Sequence, residues 1–272
     1  MIVFPNAKIN IGLRITGKRP DGYHDIDSIF YPVRLCDALE FVISDQPIIK
    51  DILEVTGIDT GSEPDDNLVL KTLLKLRERF SVPFLKIHLH KVIPVGAGLG
   101  GGSSDAACML KIINKHFELN IDNISLKSLA LELGSDCPFF VDGVPLLASG
   151  RGEIFTPVKL MLSGYYLVIL NPGVGINTAE AYKNCRPGIR STSLLQLIEH
   201  PVTEWKEFII NDFEDFALRK HPVIGELKKE LYKFSALFAL MSGSGSSVYG
   251  IFSERPALPK ELRNYVIWEG KL

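Results

Sequence analysis

The chain has 272 residues, of which 46% are hydrophobic, enough to bury a sizeable core and to form one large domain or two smaller ones. Its formal net charge of -2 excludes a strongly basic surface of the kind that holds nucleic acid or an anionic membrane. Four cysteines, Cys36, Cys108, Cys137 and Cys185, stand far apart without a C-x-x-C pair, which argues against a disulfide framework or a zinc site and for reduced thiols.

The N-terminus "MIVFPNAKIN" lacks the basic and apolar regions of a leader, and no apolar run approaches the ~20 residues of a membrane span. A cytoplasmic protein is expected. The first strand is "AKINIGLRI", in which Ala7, Ile9, Ile11, Leu13 and Ile15 alternate with Lys8, Asn10, Gly12, Arg14 and Thr16. Lys8 and Asn10 therefore share its polar face, which on its own reads as an ordinary solvated face. A turn at "RPDGYH" leads to the strands "SIFYPVRL" and "ALEFVIS". Residues 44 to 66 are loop-rich, with a short strand at Leu53 to Thr56, and "NLVLKTLLKLRERF" is an amphipathic helix. In "FLKIHLHKVIP", Leu85, Ile87 and Leu89 face one way and Lys86, His88 and His90 the other; two histidines without a third ligand make a weak case for metal.

The segment "KVIPVGAGLGGGSSDAACMLKI" follows, with five glycines in seven positions. Glycine loses the most backbone entropy on folding, so a cluster persists only where φ must be positive or something approaches the backbone closely. The second reason is favoured here. Ser103, Ser104 and Asp105 mark a helix start, and Ala106, Leu110, Ile113 and Phe117 keep helical spacing. A strand, a glycine loop and a helix N-terminus together make an anion site, above all for phosphate. The loop is not a P-loop, because Gly102 is followed by Ser103 rather than Lys. Gly96, Gly98 and Gly101 match the dinucleotide fingerprint, but "LKSLALELG" reads as a second helix where that fold needs a parallel strand. H-R-D and D-F-G are absent, which excludes a protein-kinase loop.

Beyond it, "GSDCPFF" places Asp136 in a turn before an apolar strand, and "ASGRGE" near Gly150 breaks the pattern. Then come the strand "YYLVILNP", a glycine-punctuated turn, two or three polar helices, the hairpin "SALFALMSGSGSSVYGIFS" and the strand "NYVIWEG". The 241–247 turn "MSGSGSS" is either ordinary hairpin chemistry or a second backbone clamp. Helices and strands intermix without regular βαβα alternation, so the fold class is α+β in two units, 1–150 and 151–272.

In their order along the chain, the "AKINIGL" strand, the "PVGAGLGGGSSDAA" loop, "GSDCPFF" and "MSGSGSS" resemble the motifs of the GHMP kinases, the superfamily of galactokinase, homoserine kinase, mevalonate kinase and phosphomevalonate kinase. The resemblance runs from Ala7 to about Gly250. "RPDGYHDIDSIF" and "NPGVGINTAEAY" are similar to the branch whose acceptor is a cytidine diphosphate-linked methylerythritol of the non-mevalonate isoprenoid route. Two departures are Cys137, where Val is common, and Gly175, where Ser is common.

The resemblance implies an N-terminal domain like the second domain of ribosomal protein S5, a C-terminal ferredoxin-like domain and an active site in the cleft between them. It implies ATP with Mg2+, held by Pro94, Val95, Gly96, Ala97, Gly98, Leu99, Gly100, Gly101, Gly102, Ser103 and Ser104. Asp136 would accept the proton of a tertiary hydroxyl, with Lys8 orienting it and offsetting charge on the transferring group. Asn10, Tyr23, His24, Thr178 and Tyr182 would bind the small-molecule substrate, Tyr23 and Tyr182 sandwiching the cytosine and His24 reading its edge. No nucleic acid, membrane or obligate protein partner is implied. Another GHMP small-molecule kinase and a non-catalytic nucleotide sensor remain the alternatives.

Overall fold

The structure is a computed structural model that describes residues 1–44, 48–61, 64–188 and 190–272. In chain order the elements are β1 (Ile2–Val3), β2 (Asn6–Lys18), β3 (His24–Cys36), β4 (Ala38–Ile43), β5 (Ile52–Gly57), α1 (Leu68–Arg77), β6 (Leu85–Lys91), α2 (Gly101–His116), α3 (Asn123–Leu133), α4 (Cys137–Asp142), β7 (Leu146–Ser149), β8 (Ile154–Pro157), β9 (Tyr166–Leu170), α5 (Thr178–Asn184), α6 (Leu194–Leu197), α7 (Glu214–Lys220), α8 (Pro222–Lys233), β10 (Phe238–Met241), β11 (Val248–Phe252), α9 (Lys260–Arg263) and β12 (Val266–Lys271). Of the loop-rich stretch 44–66, residues 45–47 and 62–63 lie outside the described residues, and the short strand expected there is β5.

Local chemistry explains where the helices begin. Asn67 caps α1 by accepting from Val69 N–H, Asp122 caps α3 through Ser125 N–H, and Ser193 with Gln196 forms a reciprocal capping box on α6. Two expectations are corrected. The apolar run after Asp136 is the helix α4, not a strand. Pro138 sits in its first turn, where its fixed φ suits a helix and its missing N–H costs nothing, and Gly143 at φ 66° stops it. The polar face of β2 is not solvated either: Lys8, Asn10 and Arg14 are only 3%, 1% and 4% exposed.

The chain divides into two compact units. One comprises Met1–Ala7, Leu35–Val95 and Gly100–Val144; the other comprises Lys8–Arg34, Gly96–Leu99 and Pro145–Leu272. In the first, the sheet runs β1-β4-β6-β5, with β5 parallel to β6 and the other pairs antiparallel. Helices α1 to α4 pack on one another, and the buried side chains include Phe41, Leu85 and Leu89 of the sheet and Met109, Leu110 and Ile113 of α2.

The second unit holds the sheets β2-β3-β7-β8 and β10-β11-β9-β12. The second of these is antiparallel throughout, and β12 pairs with β9 along its edge with a bulge between Val266 and Trp268. Its core joins Val168, Leu170, Ala239, Met241 and Val248 to Ile224, Leu227 and Leu231 of α8. No helix among the described residues is long and apolar enough to cross a membrane.

Candidate active site

Three of the five loop glycines are there for backbone sign. Gly96, Gly98 and Gly100 have φ of 64°, 75° and 73°, a region that a Cβ disfavours by about 1 to 2 kcal/mol. This corrects the emphasis on close approach by a ligand. A Cβ on Gly98 would stand 1.9 Å from Ser242 O, so that approach is made by the chain itself. A Cβ on Gly101 would meet Ile93 Cγ2 at 2.9 Å, whereas one on Gly102 would find nothing nearer than Leu68 Cδ1 at 3.9 Å.

The helix α2 starts at Gly101, two residues ahead of the Ser103–Asp105 signal, with Gly100 as a cap that offers no side chain. Ser104 N–H reaches Gly100 O at 2.9 Å, but the N–H groups of Gly101, Gly102 and Ser103 precede the first possible intrahelical acceptor. They open a helix of sixteen aligned residues, so the partial positive charge at that end suits an anion. The Ser104 hydroxyl is buried without a hydrogen-bond partner. Burial pushes the Cys137 thiol, at the start of α4, up to about 12. Asp136 is the residue before α4, half-buried, and its carboxylate makes no capping bond to its own helix.

Behind the loop, Lys91 Nζ donates to Asp105 Oδ2 at 2.7 Å and also to Asp37 Oδ2, all three side chains being buried. Asp37 Oδ1 accepts from Val92 N–H and Ile93 N–H as well. One lysine facing two carboxylates leaves a surplus of buried negative charge. Desolvation, with Asp37 adding to it, pushes Asp105 up to about 7 against the opposing pull of Lys91.

In the second unit, Lys8 Nζ donates to Asn10 Oδ1 at 2.5 Å and lies 4.6 Å from the centroid of the Phe30 ring. Asn10 Nδ2 donates to Ser28 Oγ at 2.7 Å, and Asn10 N–H donates to Ser242 Oγ at 3.2 Å. The 241–247 turn is therefore both a hairpin and a clamp. Ser242 Oγ donates to Gly98 O at 2.8 Å, and Ser247 N–H donates to Ala97 O at 3.2 Å. The sequence reads this turn as either a hairpin or a second backbone clamp, without singling out its residues.

At the other polar face of the same unit, His24 and Tyr182 stack with ring centroids 5.1 Å apart and 20° between planes. Tyr23 is 56% exposed, with the Arg151 guanidinium 4.9 Å from its ring centroid. The rings of Phe213 and Tyr182 stand at 90° with centroids 4.9 Å apart. Thr178 Oγ1 and Ser244 Oγ are 2.9 Å apart, which links α5 to the Gly-Ser turn. Arg151 and Phe213 carry no motif, and nothing in the sequence marks them. His88 and His90 bond Thr56 Oγ1, and no group of three His, Cys, Asp or Glu among the described residues could hold a metal.

Of the residues singled out by sequence, Lys8, Asn10, Tyr23, His24, Gly96–Leu99, Thr178 and Tyr182 fall in the second unit. Pro94, Val95, Gly100–Ser104 and Asp136 fall in the first.

Comparison with known proteins gives matches along most of the chain. The family model "GHMP kinases N terminal domain" matches residues 67–144, and "GHMP kinases C terminal" matches residues 195–266. The chain is 52% identical over 260 residues to the 4-diphosphocytidyl-2-C-methyl-D-erythritol kinase of Bacteroides thetaiotaomicron, covering 96% of this chain and 95% of the relative. It is 49% identical to that of Parabacteroides distasonis, with the whole of both chains covered. A crystal structure of 4-(cytidine 5'-diphospho)-2C-methyl-D-erythritol kinase superposes with a TM-score of 0.80 at 30% identity, covering 99% and 98% of the two chains. The mevalonate kinase of Methanococcus jannaschii, at 14% identity and a TM-score of 0.70, covers 97% and 93% and shares the fold. The glycine loop, the Gly-Ser clamp and these matches agree, and the chain belongs to the GHMP kinases.

Proposed function

We propose that the protein transfers the γ-phosphoryl group of ATP to the tertiary hydroxyl of 4-diphosphocytidyl-2-C-methyl-D-erythritol. The observation that carries this reading is the 52% identity to a kinase of that name over 96% of the chain. The uncapped start of α2 behind a left-handed glycine loop supports it, because that is where phosphate oxygens find backbone donors.

Phosphoryl transfer asks the protein mainly for positioning and charge stabilisation. The N–H groups of Gly101, Gly102 and Ser103 hold the phosphates, and residues 94–100 set the loop's path. Asp136 accepts the hydroxyl proton, and Lys8, held by Asn10, offsets negative charge on the group in transit. Asn10, Tyr23, His24, Thr178 and Tyr182 bind the acceptor, with the cytosine between the two tyrosines and its edge read by His24. Mg2+ neutralises phosphate charge when bound. Among the described residues, which hold no group of three His, Cys, Asp or Glu side chains, the buried and unpartnered hydroxyl of Ser104 would be the oxygen offered to it.

A division of the chain near Gly150 and a cytoplasmic setting belong to the same proposal. Family matches on either side of that point support the first, and the four cysteine thiols support the second. Coupled ADP release with the cytidylated substrate, mevalonate and homoserine tests the reading. Turnover only with the cytidylated substrate is expected; turnover only with another acceptor, or with none, overturns it.

A further inference from the structure

From the loop after the 3-10 turn Val202–Glu207 into the first residue of α7 runs a four-residue segment, Asn211-Asp212-Phe213-Glu214, that no part of the reaction uses directly. Leu13 N–H donates to Ile210 O and Asp212 N–H donates to Leu13 O, both at 2.9 Å, which pins the segment beside β2. Asp212 Oδ2 accepts from Ile15 N–H at 2.8 Å.

Asn211 is 3% exposed and uses its whole amide. Its Nδ2 donates to Met241 O and to Gly243 O, each at 2.8 Å, and its Oδ1 accepts from Phe213 N–H at 3.0 Å. Glu214 grips the same residue from its other end, Oε1 accepting from Met241 N–H at 2.9 Å while Lys228 holds Oε2 at 2.7 Å. Met241 and Gly243 flank Ser242, the residue whose hydroxyl holds Gly98 O. Phe213, 2% exposed, sets its ring at 90° to that of Tyr182.

We infer that residues 211–214 are a positioning element with two outputs: Asn211 and Glu214 set the Gly-Ser turn that shapes the ATP loop, and Phe213 sets the tyrosine that stacks on the cytosine. The inference rests on the reading of that loop and of Tyr182 given above. Its content is a division of labour within four residues. Asn211 is a donor to two carbonyls, a task that aspartate of the same shape cannot perform. Phe213 supplies only an aromatic ring.

The test is steady-state kinetics with both substrates varied. Asn211→Asp should raise the KM for ATP by about tenfold while the KM for the cytidylated substrate stays within about twofold. Phe213→Leu should show the reverse, about fivefold on the cytidylated substrate with ATP nearly unmoved. Ile224→Val, in the same core and chosen for a similar fall in melting temperature, should move neither constant. General loosening cannot produce the crossed pattern.

Where Asn211→Asp does not accumulate as folded protein, Asn211→Ser, neutral and shorter, takes its place with the same expectation. Equal effects on both constants, or an unmoved KM for ATP, overturn the inference. Gly102→Val, whose Cβ makes only an ordinary contact with Leu68 Cδ1 at 3.9 Å, separates the two levels. If it weakens ATP while the Asn211 variants do not, the phosphate-loop reading stands and the positioning role falls. If it too leaves ATP binding intact, the loop reading falls and carries this inference with it.

Discussion

His24 lies against the face of Tyr182, 5.1 Å between ring centroids and 20° from parallel. Phe213 stands at 90° to Tyr182, and the imidazole covers a face that a stacking base would use. On the proposed assignment the cytosine must share or displace it. His24→Ala should therefore do two things at once: remove the edge contact that separates an amine from a carbonyl, and uncover a ring that accepts any base. Losing the edge contact costs about 1 to 3 kcal/mol of discrimination, so the preference for cytidine over uridine substrate should narrow by tenfold or so. Tyr182→Ala should weaken both alike. Competition between the two substrates decides the matter, and an unmoved ratio in His24→Ala removes His24 as the reader.

The glycines of the loop should separate into structural and ligand-facing ones. Gly98→Ala forces a Cβ at φ 75° to within 1.9 Å of a carbonyl oxygen, and Gly101→Val drives into Ile93. Both should lower the melting temperature, with a cost of about 1 to 3 kcal/mol for the strained backbone alone at Gly98. Gly102→Val should melt like the parent yet bind ATP about tenfold more weakly, because its Cβ makes only an ordinary contact with Leu68 and the new side chain would crowd a bound phosphate. Calorimetry with and without ATP reads both quantities; a Gly102 variant with parental ATP affinity would falsify the phosphate cradle.

Asp136→Asn should keep substrate affinity within a few-fold and lower turnover by about two to four orders of magnitude, the range for losing a positioned base. Lys8→Ala should also depress turnover. The double variant should lose less than the two single losses combined, since groups that serve one step are not additive. Full additivity in single-turnover rates means that the two do not serve one step.

Asp105 gives a pH signature of folding. Its folded value is raised, to about 7, above the ordinary 3.8, because the buried carboxyl is desolvated and faces Asp37 across Lys91. The folded state thus holds a proton that the unfolded chain has already released. The resulting stabilisation is complete below pH 3.8 and is lost as pH rises through about 7. Asp105→Asn removes this titration, so urea unfolding measured from pH 4 to 8 should lose that downward component. An unchanged profile would show that Asp105 is ionised across the range. Cys108, one turn along α2 and pushed up to about 11 by burial, stays a thiol throughout and does not contribute.

Much of this was legible in the residues. The alternation of β2, the period of α1 and the Gly-Ser hairpin each carry their pattern within a dozen positions, and the elements sit where those patterns end. The run "CPFFVD" has six residues, too few for helical and strand periods to diverge, and its proline decides the matter. The burial of Asn10 was illegible for a different reason: its cover comes from Ser242 and Tyr249, 232 and 239 residues away. Tyr182 was found through its motif, whereas its partner Phe213 follows no periodic signal. What a residue does locally is written nearby, and what covers it is not.

The bulge in β12 bears on how copies of this protein behave beside one another. β12 is the last strand of its sheet, and such a strand presents a row of unpaired N–H and C=O groups to any chain that drifts past. Between Val266 and Trp268 the spacing of that row is broken, and Glu269, next along, is held by Arg255 and Arg263. An incoming strand would find its hydrogen-bond register interrupted after one residue and a charged cluster beyond it. A broken register and a charged side chain are both features that blunt an edge strand against such pairing.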